Sequence, residues 1–142
     1  MRAFHLALIA ALAFSASAFA DTALRFQDPE KFIGDLFGTP PRITATDAAK
    51  TIAAAIGKPG AAEGLEKALK IFDGKKIESF NKVIDTDFAG ALRQVIYYAY
   101  VQDVGFIYFR FNFKMTGTGW LLANFTFKSE TEELFPKDFI TR

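Results

Sequence analysis

The chain contains no cysteine, and its single histidine is His5, in the first few of its 142 residues. Without thiols there is no disulfide, no cysteine nucleophile and no thiolate metal site. His5 belongs to an N-terminal segment expected to be removed, so the mature chain is expected to lack imidazole as well. That excludes Ser-His and Cys-His triads, histidine-ligated haem, and zinc or copper sites built on nitrogen or sulfur. Ser79 and Ser129 are the only serines beyond that segment, and neither has a histidine to activate it. Excess charge of either sign is missing too, with 17 Lys and Arg against 16 Asp and Glu. No basic patch points to nucleic acid, so no nucleic-acid partner is expected, and nothing implies a cofactor or a metal.

What is present begins with MRAFHLALIAALAFSASAFA. Arg2 supplies a positive start, Leu6 to Phe14 an apolar stretch, and Ala18-Phe19-Ala20 a small-x-small site before Asp21, the pattern of a secretory signal peptide. The apolar stretch is shorter than the roughly 20 residues needed to cross a bilayer, so cleavage after Ala20 is expected, with no stable membrane insertion afterwards. Asp21 stands where a lipoprotein would carry cysteine. A periplasmic or secreted protein is expected, and a disulfide-free exported chain suits a bacterial envelope. Residues 21–142 fit one domain, with formally balanced charge once Arg2 is gone.

The mature chain divides into a helical part and an alternating part. Asp28 as N-cap, Pro29 at the first helical position and Gly38 as stop frame a short helix with Phe32, Ile33, Leu36 and Phe37 on one stripe. After Thr39-Pro40-Pro41 a second helix starts at Thr44 or Thr46, runs through the alanines from Ala48 to Ile56, and ends at Gly57. A third spans Ala61 to Phe72. Beyond Gly74 the period becomes two, and four strands are predicted: Lys76 to Thr86, Ala91 to Val101, Val104 to Met115 and Trp120 to Ser129. Ile107, Phe109, Phe111 and Phe113 alternate with Tyr108, Arg110, Asn112 and Lys114; Leu121, Ala123, Phe125 and Phe127 alternate with Leu122, Asn124, Thr126 and Lys128. Gly117-Thr118-Gly119 joins the last two strands, its glycines expected at positive φ. Strands this long must curl, so an α+β fold is expected, with N-terminal helices packed on a curved four-stranded antiparallel meander. The tail from Glu130 to Arg142 turns from acidic to apolar and is expected to pack against the sheet's margin.

Three helices followed by a meander, the stretch from Gly90-Ala91-Leu92-Arg93 to Tyr97-Tyr98, then Phe109-Arg110-Phe111-Asn112-Phe113 and Gly119-Trp120, resemble small exported bacterial members of the cystatin-like, nuclear-transport-factor-2-like group. The resemblance covers roughly residues 28–135 and implies the fold, not an activity. Enzymes of that group often place a His-Asp pair inside the cone formed by helix and sheet. No histidine is available here, which speaks against that chemistry.

Two constellations remain. Asp85 and Asp87 flank Thr86 near a strand end, with Arg93 a few residues on. They could share a proton as acid and base, whereas the commoner use of such a pair is to accept turn hydrogen bonds or to pair with arginine. The second is a polar face of Tyr108, Arg110, Asn112 and Asn124, with Arg93 and Tyr97 as candidate additions from strand two. Arginine offers a bidentate fork and tyrosine a flat amphipathic wall for a small ligand or a protein partner, although a merely solvated sheet face shows the same alternation. Strand two carries tyrosines on both parities, so if both of its faces are buried, something other than the helices must cover the second, and Trp120 reads as a core residue at a hairpin. The function expected first is an exported non-enzymatic binding module that takes a second copy, an envelope protein or a small ligand. Its rivals are a small lyase or isomerase using an aspartate in a cone-shaped pocket, and an accessory factor that docks through a free sheet edge, against which Lys76, Glu78 and Lys82 guard strand one.

Overall fold

A computed structural model describes residues 23–129; the leader with its cleavage site, and the tail from residue 130, lie outside the described residues. Helix α1 spans Pro29–Phe37, with the Asp28 carboxylate accepting the Glu30 amide at 2.8 Å and Gly38 closing the C-terminus at φ +71°. Helix α2 spans Ala45–Ile56 and stops at Gly57 in the left-handed conformation. Thr44 occupies its N-cap without a side-chain bond; the Ala45 amide donates instead to Asp73 Oδ1 at 2.7 Å. The third predicted helix divides into a 3₁₀ turn over Pro59–Ala61, helix α3 over Ala62–Leu69, and a second 3₁₀ turn over Lys70–Phe72. Tightening of this kind is common at helix termini. Here it delivers Leu69 and Phe72 to the core and brings Asp73 to the start of α2.

Four antiparallel strands complete the described chain in sheet order β1-β2-β3-β4: β1 Ile77–Phe88, β2 Leu92–Val101, β3 Gly105–Thr116 and β4 Gly119–Lys128. The expected α+β architecture, helices on one face of a curved meander, is what the chain adopts. Phe109, Phe111 and Phe113 are fully buried beneath the helices. Phe109 sits at the centre, 5.1 Å from the Phe37 ring, 5.8 Å from Phe72 and 6.1 Å from Phe127. Ala45, Ala48, Ala49, Ala53 and Ala55 of α2 are all buried. Their small side chains allow close helix approach, as the alanine run implies.

The alternation expected for the fourth strand does not survive intact. Pairing slips beside Phe113: Asn124 lies opposite Asn112, Leu122 lies opposite Phe113, and Ala123 between them has no partner. A bulge of this kind inserts one residue and reverses parity beyond it. Leu122 therefore joins Phe125 and Phe127 on the helix side and is fully buried, while Leu121 lies opposite Lys114 on the other face. Of the two turn glycines expected at positive φ, Gly119 is, at +134°, and Gly117 is not.

The segment before α1 is tied to the sheet by an antiparallel bridge. Phe26 donates to the Trp120 carbonyl at 2.7 Å and accepts from its amide at 2.8 Å. A side chain at Gly119 would bring its Cβ to 2.8 Å from the Phe26 carbonyl oxygen, so glycine meets both a close approach and a backbone conformation there. Trp120 itself belongs to the buried core.

Candidate functional site

Residues opposite each other in an antiparallel pair share a face, so the register sorts the six candidate residues. Arg93 lies opposite Phe113 and Tyr97 opposite Phe109, which places both on the helix side. Tyr108 lies opposite Tyr98, Arg110 opposite Ile96, and Asn112 between Gln94 and Asn124, all on the outward side. The sheet therefore unites Tyr108, Arg110, Asn112 and Asn124 and separates them from Arg93 and Tyr97. Strand two carries large apolar side chains at both parities, so its sequence alone does not assign its faces.

On the helix side Arg93 anchors a four-charge cluster. Its Nε and Nη2 donate to the two Asp85 oxygens at 2.9 and 2.7 Å, and Nη2 also reaches Glu30 Oε1 at 2.6 Å. Lys82 Nζ donates to Asp85 Oδ2 at 2.9 Å and to Glu30 Oε1 at 3.0 Å. Glu30 lies in the first turn of α1, where a carboxylate also suits the helix dipole. The cluster thus pins the start of α1 to the β1–β2 hairpin. The hydrogen bonds from Arg93, joined by the one from Lys82, hold the Asp85 carboxyl well below the usual carboxylate range. A group held ionised in this way serves poorly as a proton donor. Asp87 instead accepts the Gly90 amide at 2.6 Å across the hairpin turn. Tyr97 stacks on Phe80 with centroids 4.6 Å apart, and burial pushes its phenol above the ordinary value.

The low pKa of Asp85 fixes a sign. Its ionised form is the one stabilised in the fold, so the contribution is complete above the unfolded carboxylate pKa of about 4 and fades as pH falls toward the folded value. Asp85→Asn is expected to cost about 1 kcal/mol at pH 7, as befits a partly solvated network. The gap to the parent should narrow as pH is lowered below about 4. Urea melts across that range check it, and a gap that widens in acid would contradict the assignment.

The outward face is arranged in rows across the strands. At one end Tyr100 lies opposite Phe106, with rings 5.0 Å apart, and Tyr98 lies 6.1 Å from Phe106. Phe106 is 54% exposed and Tyr100 38%. Next come Tyr98 with Tyr108 and Lys128, then Ile84, Ile96, Arg110 and Thr126, then Thr86, Gln94, Asn112 and Asn124. Gln94 donates to Asn112 at 3.0 Å, and Thr126 to Asn124 at 2.9 Å. Ile96 has no solvent exposure although it faces away from the helices. Phe106 was missed from sequence; it shares the even parity of Tyr108, and that was the available signal.

The helix-side concavity is filled. A void of about 10 Å³ lies between Leu36, Ile52, Leu69, Phe109, Phe125 and their neighbours. Among the described residues, open clefts lie elsewhere: one of about 400 Å³ between α1 and α2, beside Asp35, Arg42 and Asp47, and one of about 660 Å³ between the Gly34–Pro41 stretch and the first half of β1. Neither is lined by any of the six candidates. Among the described residues no group of three or more acidic, histidine or cysteine side chains is placed to hold a metal, and no helix is long and apolar enough to cross a membrane.

No protein-family profile matches the chain, and no curated protein does. In fold it is similar to a DUF4783 family protein. The crystal structure of that protein, from Bacteroides ovatus, superimposes with a TM-score of 0.50 at 10% identity, over 74% of this chain and 97% of the other. The likeness is one of architecture, helices with a four-stranded antiparallel sheet, and carries no named cystatin-like or nuclear-transport-factor-2-like family.

Proposed function

We propose that the chain is an exported, non-enzymatic binding module of the cystatin-like, nuclear-transport-factor-2-like kind, and that its outward sheet face is the contact surface. The observation that carries this reading is the pairing of exposed Phe106 and Tyr100 with Arg110, Asn112 and Asn124 on the face opposite the helices. Aromatic residues and arginine are the groups enriched where proteins meet. Support also comes from the helix side, where packed phenylalanines occupy the space a substrate would need and Asp85 is engaged by Arg93 and Lys82. The pattern of the first twenty residues supports export.

The test combines sedimentation and native mass spectrometry of the chain from Asp21 with those of Phe106→Asp. The parent is expected to self-associate or to retain a ligand, and the variant to lose about tenfold in that affinity. Because Phe106 is mostly exposed, the thermal stability of the variant should stay within about 0.5 kcal/mol of the parent. A parent that is strictly monomeric at high concentration and carries no ligand would remove the support for this reading.

A further inference from the structure

The cleft of about 400 Å³ between α1 and α2 combines an apolar floor with charges of both signs. The Thr44 cap and one face of α2 line it with Asp47, Ala48 and Thr51, at the i, i+3, i+4 and i+7 spacing of a single helix face. Helix α1 contributes Phe32, Asp35 and Leu36 from the other side, and Arg42, on the turn between the helices, completes the rim. Asp35 is held by Lys31 at 2.6 Å. Arg42 and Asp47 are exposed, opposite in charge and part of one concavity, yet among the described residues neither enters an ion pair, with the other or with any third group. We propose that this cleft binds a small zwitterion, an α-amino acid with an apolar side chain. Its carboxylate would sit on the Arg42 guanidinium, its ammonium on the Asp47 carboxylate, and its side chain on Phe32, Leu36 and Ala48.

Charge, floor and rigidity favour the same occupant. A simple anion drawn to Arg42 would also meet the Asp47 and Asp35 carboxylates, and a simple cation drawn to Asp47 would meet Arg42. A molecule carrying both charges complements both groups at once, and the planar fork of arginine suits a carboxylate. Between the charges the floor is apolar, with Phe32 and Ala48 buried and Leu36 packed against the core. Thr44 makes no side-chain cap bond, so its hydroxyl is available to the ammonium. The backbone that carries these groups is fixed in advance. The Arg42 amide donates to the Phe37 carbonyl at 2.8 Å, the Ala48 amide to the Thr44 carbonyl at 2.9 Å, and the Ala45 amide to Asp73 at 2.7 Å. A pre-formed frame lowers the ordering cost of binding. The cleft volume falls within the range of small-molecule sites, although one side stays wet, so a dissociation constant of about 1 mM or somewhat tighter is expected. This cleft belongs to the helical layer and the outward face to the far side of the sheet, so the assignment is independent of the contact surface proposed above.

The test is a titration of the full chain, followed by amide NMR and calorimetry, with three probes: L-phenylalanine, 3-phenylpropanoate, which lacks the ammonium, and 2-phenylethylamine, which lacks the carboxylate. L-phenylalanine is expected to saturate below about 10 mM, to shift the amides of the Arg42 to Thr51 stretch, and to bind about tenfold more tightly than either analogue, the effect of one charge-assisted contact. Arg42→Gln should weaken L-phenylalanine to the level of 2-phenylethylamine, and Asp47→Asn to the level of 3-phenylpropanoate. Both positions are exposed, so both variants should fold as the parent does. The comparison of probes on the parent decides the matter even if a variant fails to fold. Phe106→Asp should bind L-phenylalanine as the parent does, whatever it does to association. Absence of saturable L-phenylalanine binding up to about 10 mM would overturn the proposal. So would equal affinities for the three probes, which would mean an apolar crevice that reads no charge, or amide shifts confined to β2 and β3.

Discussion

Phe109→Ala is expected to destabilise the fold by about 3–5 kcal/mol, a loss large enough to take up much of a small domain's net stability. Phe109 has no solvent exposure, and its ring lies within 6.5 Å of those of Phe37, Phe72, Phe80, Phe125 and Phe127. Those five come from α1, the 3₁₀ turn after α3, β1 and β4, so the cavity would open where the helical layer and three strands of the sheet converge. Backbone elements on several sides cannot all move inward, and poor relaxation places a large-to-small change at the costly end of its range. Phe109→Leu keeps much of the volume and should recover at least about half of the loss. Chemical denaturation followed by far-ultraviolet circular dichroism measures both. A midpoint for Phe109→Ala within experimental error of the parent would mean that the Phe-lined face is not the core.

That face was legible because its signal is repetitive. Ile107, Phe109, Phe111 and Phe113 repeat with period two and point to the helices as the period requires, and the hairpin glycines bracket the strands to within about two residues. The first helix was equally plain, since Asp28, Pro29 and Gly38 each act within a residue or two of their place in the chain. What the sequence hides are relations between distant positions and departures from period. The bulge at Ala123 leaves no mark in composition, yet it moves Leu122 to the core and Leu121 out of it. Asp73 reads as part of a helix stop, and only folding places it against the Ala45 amide, 28 residues earlier in the chain. The candidate site divides for the same reason. Asp85 and Arg93 are close in sequence and their pairing could be foreseen, but Glu30, 63 residues from Arg93, completes the cluster from α1. That third member makes Arg93 part of a link between layers, on the face away from Tyr108, Arg110, Asn112 and Asn124. Register, which sequence does not reveal for a strand apolar on both faces, then leaves Tyr108, Arg110, Asn112 and Asn124 as the outward set.

The second large effect concerns the hairpin that opens β4. Trp120→Ala is expected to cost about 3–5 kcal/mol and to lower the melting temperature by roughly 10–20 °C. The indole is in the core, and its backbone holds the Phe26 segment through two hydrogen bonds, so the side chain and the bridge fail together. Phe26 in turn stacks on Phe32 at 4.2 Å and meets Phe113 edge-on at 6.5 Å, which carries the loss into α1 and β3. Gly119→Ala separates the two contributions. Its Cβ would strike the Phe26 carbonyl oxygen, a backbone atom that cannot rotate away, while Trp120 is retained. That variant should lose about 1–3 kcal/mol through strain and a broken bridge. Trp120 is the sole tryptophan, so its fluorescence reports on this locus alone. In Gly119→Ala the emission should shift to the red as the bridge opens and water reaches the indole. A Gly119→Ala protein with unshifted emission and unchanged stability would show that the N-terminal segment contributes nothing to the fold, and a Trp120→Ala melt matching the parent would remove the indole from the core.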